Sequence, residues 1–214
     1  MPSRTSAQKP VLWIATRNRG KTLEFSQLLR GVCRVRDLHS LPRFPEIQET
    51  GKTFLANARI KACNLSRALP NHPILADDSG LVVPSLGGRP GVYSARFSGP
   101  RASDQSNRTK LLRLLKAKTG LLRKAYFESC LVIAQNGAVL GAVSSRVWGR
   151  ITQVEAGTGG FGYDSIFQPK GFSKTFGQLP TITKHRISHR ARAVIKLRPR
   201  LSRLLSLSRS KKLI

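Results

Sequence analysis

Two adjacent carboxylates, Asp77 and Asp78, follow directly on the apolar run Ile74-Leu75-Ala76, and Ser79-Gly80 comes after them. Like charges side by side at the end of a buried strand are unfavourable unless a cation compensates them. Magnesium takes hard oxygen ligands, usually one or two protein carboxylates plus phosphate oxygens. Strand side chains alternate between faces, so at most one of the pair aims at a given ligand unless the backbone bends there. A turn with solvated carboxylates is the plain alternative, and these residues alone leave both readings open.

Four further clusters carry possible chemistry. Thr16-Arg17-Asn18-Arg19-Gly20-Lys21 lies between a strand pattern and a helix pattern. Backbone N–H groups at a helix start bind anions, with Lys21 adding a charge and Asn18 an amide. The spacing is not that of a Walker A loop. Glu49 precedes Asn57 and Lys61, which are four residues apart and share a helical face. Gly159-Gly160-Phe161-Gly162-Tyr163-Asp164 lets backbone approach a ligand, and Phe161 offers a ring on which a base could stack. Ser188-His189-Arg190, with Lys184 and Arg186 nearby, supplies donors for phosphate or carbonyl oxygen. Each has a bland counterpart: a surface turn, a solvated helix face, an ordinary glycine loop, a basic helix face. No structural zinc site is spelled out by four His and scattered Cys. Ser79 has no G-x-S-x-G elbow around it, which argues against a serine hydrolase.

The elements that must position these groups are legible in outline. Residues 11–16 form an apolar, β-branched strand pattern, and Phe25, Leu28 and Leu29 then recur at helical spacing. Residues 33–38 suggest a second strand. Thr53 looks like a helix N-cap, followed by an apolar stripe of Phe54, Ala58, Ala62, Leu65 and Leu69. Ile74-Leu75-Ala76 enters a strand that the Asp77–Gly80 stretch interrupts, and Leu81-Val82-Val83 continues extended. Residues 103–118 carry another amphipathic helix. Strand patterns at 125–135 and 139–151 flank Asn136-Gly137, a strong hairpin signal. Residues 185–205 read as a helix interrupted at Pro199. Interleaved helices and strands make the class α/β.

The length of 214 residues suits one domain or two closely packed lobes, and 40% hydrophobic residues suffice for a core. No apolar run approaches the ~18 residues of a membrane span. Residues 1–10 lack the apolar stretch of a signal peptide and read as a frayed extension. Cys33, Cys63 and Cys130 form no CxxC pair, so they read as free thiols in a reducing compartment. The net charge of +28 is the odd feature, and no acidic residue follows Asp164. Such a surface attracts phosphate in any form, so charge alone does not separate a nucleotide enzyme from a nucleic-acid binder.

Taken together, ATRNRGK, ETGKTFLANARIKA, LADDSGLVVPSLGGRPGVYSARFSG, GTGGFGYDSIFQPKGF and KHRISHRARA, in that order, resemble the inosine triphosphate pyrophosphatase family, also called XTP/dITP diphosphatases. The resemblance runs from about Val11 to Leu197. It implies a domain at 11–197 followed by a basic extension at 198–214, and a long curved mixed β-sheet flanked by helices, with two lobes and a central cleft. It implies Mg²⁺-dependent hydrolysis of dITP, ITP or XTP to the monophosphate and pyrophosphate, in a cytoplasmic homodimer. By motif, Thr16, Asn18, Lys21 and Lys61 would hold the triphosphate. Glu49 and Asp78 would bind Mg²⁺. Asp78 would also position or deprotonate the attacking water, supported by Asp77. Ser79 would touch the nucleotide, and Phe161, Gly162, Tyr163, Asp164, Lys184, His189 and Arg190 would receive the base. The competing expectation is a nucleic-acid-binding protein on a degenerate scaffold of this kind. The related septum-inhibitor nucleotide pyrophosphatases are a third, which the SHR and GGFGYD blocks disfavour. Four departures from the family pattern stand out: Arg17 and Ala191 for Gly, and Ala56 and Thr183 for Glu. Arg17 would cost roughly 1 kcal/mol or more if its backbone required positive φ.

Overall fold

The computed structural model describes residues 9–210. The first eight residues of the expected N-terminal extension, and residues 211–214, lie outside the described residues. In chain order the elements are β1 (Val11–Ile14), α1 (Arg19–Leu28), β2 (Arg34–Asp37), α2 (Phe54–Ala68), β3 (Ile74–Val82), α3 (Asp104–Leu114), β4 (Lys124–Gln135), β5 (Ala138–Ile151), β6 (Phe167–Pro169), α4 (Thr181–Ile187) and α5 (His189–Ser210).

Local sequence explains where the helices begin. The Asn18 side chain accepts from the Lys21 amide at the start of α1, and Thr53 accepts from the Ala56 amide at the start of α2. Ser103 and Ser106 form a reciprocal capping box on α3. Asn136 and Gly137 both have positive φ, 48° and 77°, as a two-residue hairpin turn requires.

The six strands form one mixed sheet in the order β2-β1-β3-β4-β5-β6. β1 runs parallel to β2 and β3, and the remaining pairs are antiparallel. Period-two alternation divides its two faces. Trp13, Ala15, Ile74, Ala76 and Val132 pack under the α2 stripe of Phe54, Ala58, Ala62 and Leu65. Leu12, Ile14, Leu75, Leu131 and Ile133 pack under Phe25 and Leu29 of α1 and Ala193, Leu197, Leu201 and Leu205 of α5. A third cluster, with Leu81, Leu111, Phe127, Phe167 and Phe176, forms a second lobe toward the far end of β4. The long curved mixed sheet and the two lobes therefore stand as expected.

Two details differ from the sequence expectation. β3 is not interrupted at its carboxylates; Asp77, Asp78 and Ser79 pair in register with Leu131, Cys130 and Ser129 of β4. Cations from three helices compensate the acids, so the strand need not turn them out to water. The C-terminal helix breaks at Ser188, where the backbone is extended, and runs unbroken through Pro199. Proline deprives the Ile195 carbonyl of its helical donor. Ile195 is 63% exposed, so that carbonyl lies on the solvent side, where water can replace the donor. Past residue 197, Leu201 and Leu205 remain fully packed in the core. Among the described residues no helix is long and apolar enough to cross a membrane.

Candidate functional site

A cleft of about 300 Å³ opens between the lobes. That is the size of a small-molecule site. Thr16, Asn18, Lys21, Glu49, Lys61, Asp78, Ser79, Phe161, Gly162, Tyr163, Asp164, Lys184, His189 and Arg190 all border it. Asp77 does not.

The β1–α1 turn forms one wall. The Asn18 amide donates to Thr16 Oγ1 at 3.1 Å, while Asn18 Oδ1 caps Lys21. Among the described residues Asn136 is the only non-glycine with positive φ, so Arg17 carries no left-handed strain. Lys21 Nζ reaches Asp77 Oδ2 at 3.0 Å. Burial pulls the Lys21 pKa below its ordinary value, with Asp77 opposing.

α2 supplies the opposite wall. Asn57 and Lys61 are buried rather than solvated, and Asn57 Oδ1 accepts from the Gly51 amide at 2.8 Å. Lys61 Nζ lies between two carboxylates, 2.7 Å from Asp78 Oδ1 and 3.3 Å from Glu49 Oε1. Burial lowers its pKa, but Asp78 and Glu49 outweigh that and the net direction is upward. Burial pushes the Asp78 carboxyl up, with the neighbouring Glu49 adding to it and Lys61 and Lys21 opposing. Asp78 Oδ2 is buried without a hydrogen-bond partner.

Asp77 sits on the other face with both carboxylate oxygens engaged. Its Oδ1 accepts from Ser129 Oγ at 2.7 Å, and its Oδ2 accepts from Ser79 Oγ at 2.9 Å, Lys21 and Arg190 Nε. Burial raises its pKa, but Lys21 and Arg190 hold the carboxyl well below the usual range. Arg190 is itself committed: it donates through Nη1 to Glu24 and through Nη2 to Ser79 Oγ at 2.9 Å. Burial pushes Glu24 up, yet Arg190 brings it down to about 2. Ser188 Oγ donates to Glu24 as well, at 3.1 Å, and accepts from the Ala191 amide.

The glycine loop closes the third side. Phe161 rests against Gly20, where a Cβ would meet its ring at 2.8 Å. Lys184 Nζ lies 5.0 Å and the Arg190 guanidinium 5.5 Å from the Phe161 ring centre. Asp164 Oδ2 accepts from the Phe161 amide and from Lys184 Nζ. Burial raises the Asp164 pKa against the pull of Lys184. The Tyr163 hydroxyl donates to the Ser94 carbonyl, and burial raises its pKa too. His189 stacks on Phe127 at 4.7 Å and 10° between planes. Burial, then Arg190, push its pKa down to about 3, so the ring is neutral. Its Nδ1 is buried with no partner.

All the expected residues except Asp77 therefore converge on the cleft, but they divide by what they have left to offer. Asp77, Tyr163 and Arg190 spend their polar atoms on protein, as Asp164 does through Oδ2. Asp78 Oδ2 and His189 Nδ1 do not. Three contributors went unassigned in the sequence: Glu24, Ser129 and Asp104, which accepts from the Gly162 amide at 2.7 Å. Glu24 had a local signal, because it lies one turn past Lys21. Ser129 had none, since only the β3–β4 register brings it to Asp77.

Solved structures share this arrangement of elements, and known sequences match over most of the chain. A structure of the Staphylococcus aureus Ham1 protein superposes with a TM-score of 0.77 at 36% identity, covering 89% of this chain and 97% of that one. A HAM1 protein from Coxiella burnetii gives 0.78 at 33%, covering 92% and 98%. A dITP/XTP pyrophosphatase of Geobacillus kaustophilus is 45% identical over 186 residues, 86% of this chain and 90% of that protein. One of Geobacter sulfurreducens is 41% identical over 191 residues, 89% and 96% respectively. The Ham1 family model matches residues 12–200, and with that span, nearly the whole described fold, this chain belongs to the Ham1 family.

Proposed function

We propose that this chain hydrolyses non-canonical purine nucleoside triphosphates, dITP, ITP and XTP, to the monophosphate and pyrophosphate. Relatives named dITP/XTP pyrophosphatase over nine-tenths of their length support this activity. The observation that carries the site assignment is the Glu49–Lys61–Asp78 bridge facing Lys21 across the cleft.

A divalent cation, which we take to be Mg²⁺, fits the residues present. Glu49 and Asp78 are already close enough for one ammonium to bridge them, and Asp78 Oδ2 has an unused lone pair. Among the described residues no cluster of three His, Cys, Asp or Glu gathers there. Mg²⁺ commonly takes only one or two protein carboxylates and completes its shell with phosphate and water oxygens. When bound, the cation neutralises polyphosphate charge and polarises the phosphoryl oxygens.

The chain's own residues do the rest. Thr16, Asn18 and the α1 amides receive the polyphosphate, and Lys21 and Lys61 turn from their carboxylates toward it. Asp78 accepts a proton from a water whose oxygen bonds to the α-phosphorus. The α–β bridging bond breaks, and pyrophosphate leaves with its electron pair. Asp77 holds Arg190 in place from behind, and holds Lys21 until the polyphosphate arrives. Ser79 and the loop of Phe161, Gly162, Tyr163 and Asp164 enclose the nucleoside, with Lys184 and Arg190 behind Phe161. Neutral His189 donates from a ring nitrogen to the 6-keto oxygen of hypoxanthine or xanthine. Adenine would set an amino group against that donor, and such a buried mismatch discriminates by up to ~10⁴-fold.

Residues 11–197 form the catalytic unit, with the part of α5 past residue 197 as its brace. The homodimer rests on the family resemblance, and the cytoplasmic location on three unpaired cysteines. Non-specific contact with nucleic acid through the +28 surface is at most a secondary trait. No feature of the site favours a degenerate scaffold, because its carboxylates and lysines are all in place.

The test is pyrophosphate release from dITP, XTP, ATP and GTP with Mg²⁺ at two salt concentrations, alongside the mass in solution. Turnover of dITP no faster than that of ATP would defeat the assignment.

A further inference from the structure

The second carboxylate of the bridge, Glu49, stands on chain with little of its own to hold it. Residues 45–50 adopt no regular structure. Among the described residues no backbone hydrogen bond ties this stretch to the rest of the protein. Its lower end is fixed by Gly51, whose amide donates to buried Asn57. Its upper end is fixed by Arg17. From the β1–α1 turn, Arg17 Nη1 donates to the Leu38 carbonyl at 3.1 Å and Nη2 to the Phe44 carbonyl at 2.6 Å. The Arg17 carbonyl in turn accepts from His39 Nε2 at 2.8 Å. His39 is anchored through its amide to Asp37 Oδ1, and Asp37 Oδ2 accepts from Thr22 of α1. The planar guanidinium spans two carbonyls six residues apart in sequence, which a single ammonium point charge does not do.

We propose that Arg17 is a positioning residue that sets the Glu46–Glu49 arm of the cleft at a fixed distance from Asp78, and so determines how tightly the two carboxylates hold a divalent cation. The inference rests on the site reading above. Arg17 touches neither carboxylate. It acts by joining the turn that carries Asn18 and Lys21 to the segment that carries Glu49, so the two walls of the cleft move as one.

The experiment compares wild type with Arg17→Ala, Arg17→Lys and Glu49→Gln. Mn²⁺ binding is followed by electron paramagnetic resonance in the presence of a non-hydrolysable nucleotide analogue, and hydrogen exchange is followed over residues 41–44, where the Leu41 and Phe44 amides are hydrogen-bonded. Expected for Arg17→Ala are exchange at least about tenfold faster in that segment and a Mn²⁺ dissociation constant raised about tenfold. Arg17→Lys, which keeps the charge but cannot span both carbonyls, recovers less than half of either effect. Full recovery by lysine would show that charge alone matters and overturn the proposal. So would unchanged Mn²⁺ affinity in Arg17→Ala with faster exchange, or weaker Mn²⁺ binding with exchange unchanged, or no change in either. If Glu49→Gln leaves Mn²⁺ affinity untouched, the site reading fails instead, whatever Arg17 does to the segment.

Discussion

Asp77 and Asp78 are neighbours on β3, yet they serve opposite faces of the sheet. Asp77 meets Lys21 and Arg190 on the side of α1 and α5, and Asp78 meets Lys61 on the side of α2. Strand alternation thus assigns one carboxylate to architecture and the other to chemistry. The two asparagine variants should separate these roles. Asp77→Asn leaves Lys21 and Arg190 under-compensated in a buried site and should cost about 3 kcal/mol in urea unfolding. Asp78→Asn should lower turnover by at least ~10²-fold while costing less stability than Asp77→Asn. Equal losses of stability from the two would contradict the division.

Glu24 links folding to pH. Its carboxyl is lowered from an ordinary 4.5 to about 2, because Arg190, with Lys184 and His189 nearby, overcomes the penalty of burial. A depressed carboxyl contributes stability that is present above pH 4.5 and lost as pH falls toward 2. The contribution is roughly 3 kcal/mol. Glu24→Gln should therefore be less stable at pH 7 and show a flatter decline between pH 4.5 and 2. Denaturant titrations at four pH values would reveal it, and parallel wild-type and mutant curves would refute it.

His189 should contribute no inflection to the pH–rate profile between pH 5 and 8, because burial and Arg190 hold it neutral down to about pH 3 despite Glu24 and Asp77. Its chemical shifts in ¹³C-labelled protein should stay flat over that range. His189→Ala should reduce kcat/KM for dITP by roughly 10- to 100-fold and change that for ATP much less, narrowing selectivity. A midpoint near 6.5 in either measurement would count against a neutral donor.

Gly80 has a steric task. A Cβ there would strike the Ser94 hydroxyl and the Gly91 carbonyl, the latter at 2.7 Å. Ser94 Oγ accepts from the Leu81 amide at 2.9 Å, so it cannot simply turn away. Gly80→Ala should destabilise by about 1–3 kcal/mol, seen as a lowered Tm. An unchanged Tm would mean the turn after β3 is free to shift.

Removal of divalent cations with a chelator should abolish pyrophosphate release, and Mg²⁺ should restore it. Activity that survives exhaustive chelation would sink the role given to Glu49 and Asp78 together.

Much of this protein is local in its sequence. Thr53 announces its helix, and Asn18 and Ser103 open theirs by the same device, because a cap needs only the next three residues. Asn136-Gly137 announces its hairpin because only a few residue types accept left-handed backbone. The five motif blocks name the family, and with it about half of the residues bordering the cleft. What the chain does not spell out is contact across distance. Ser129 meets Asp77 through the register of β4, Arg190 meets Glu24 across 166 positions of chain, and Arg17 meets Phe44 over an irregular loop. The expected interruption of β3 failed for the same reason: adjacent carboxylates look intolerable in a buried strand until cations from α1, α2 and α5 arrive. A residue's type sets what it can do. Whether it is free to do so, as Asp78 is and Asp77 is not, depends on which charges the fold brings against it in a medium too dry for water to intervene.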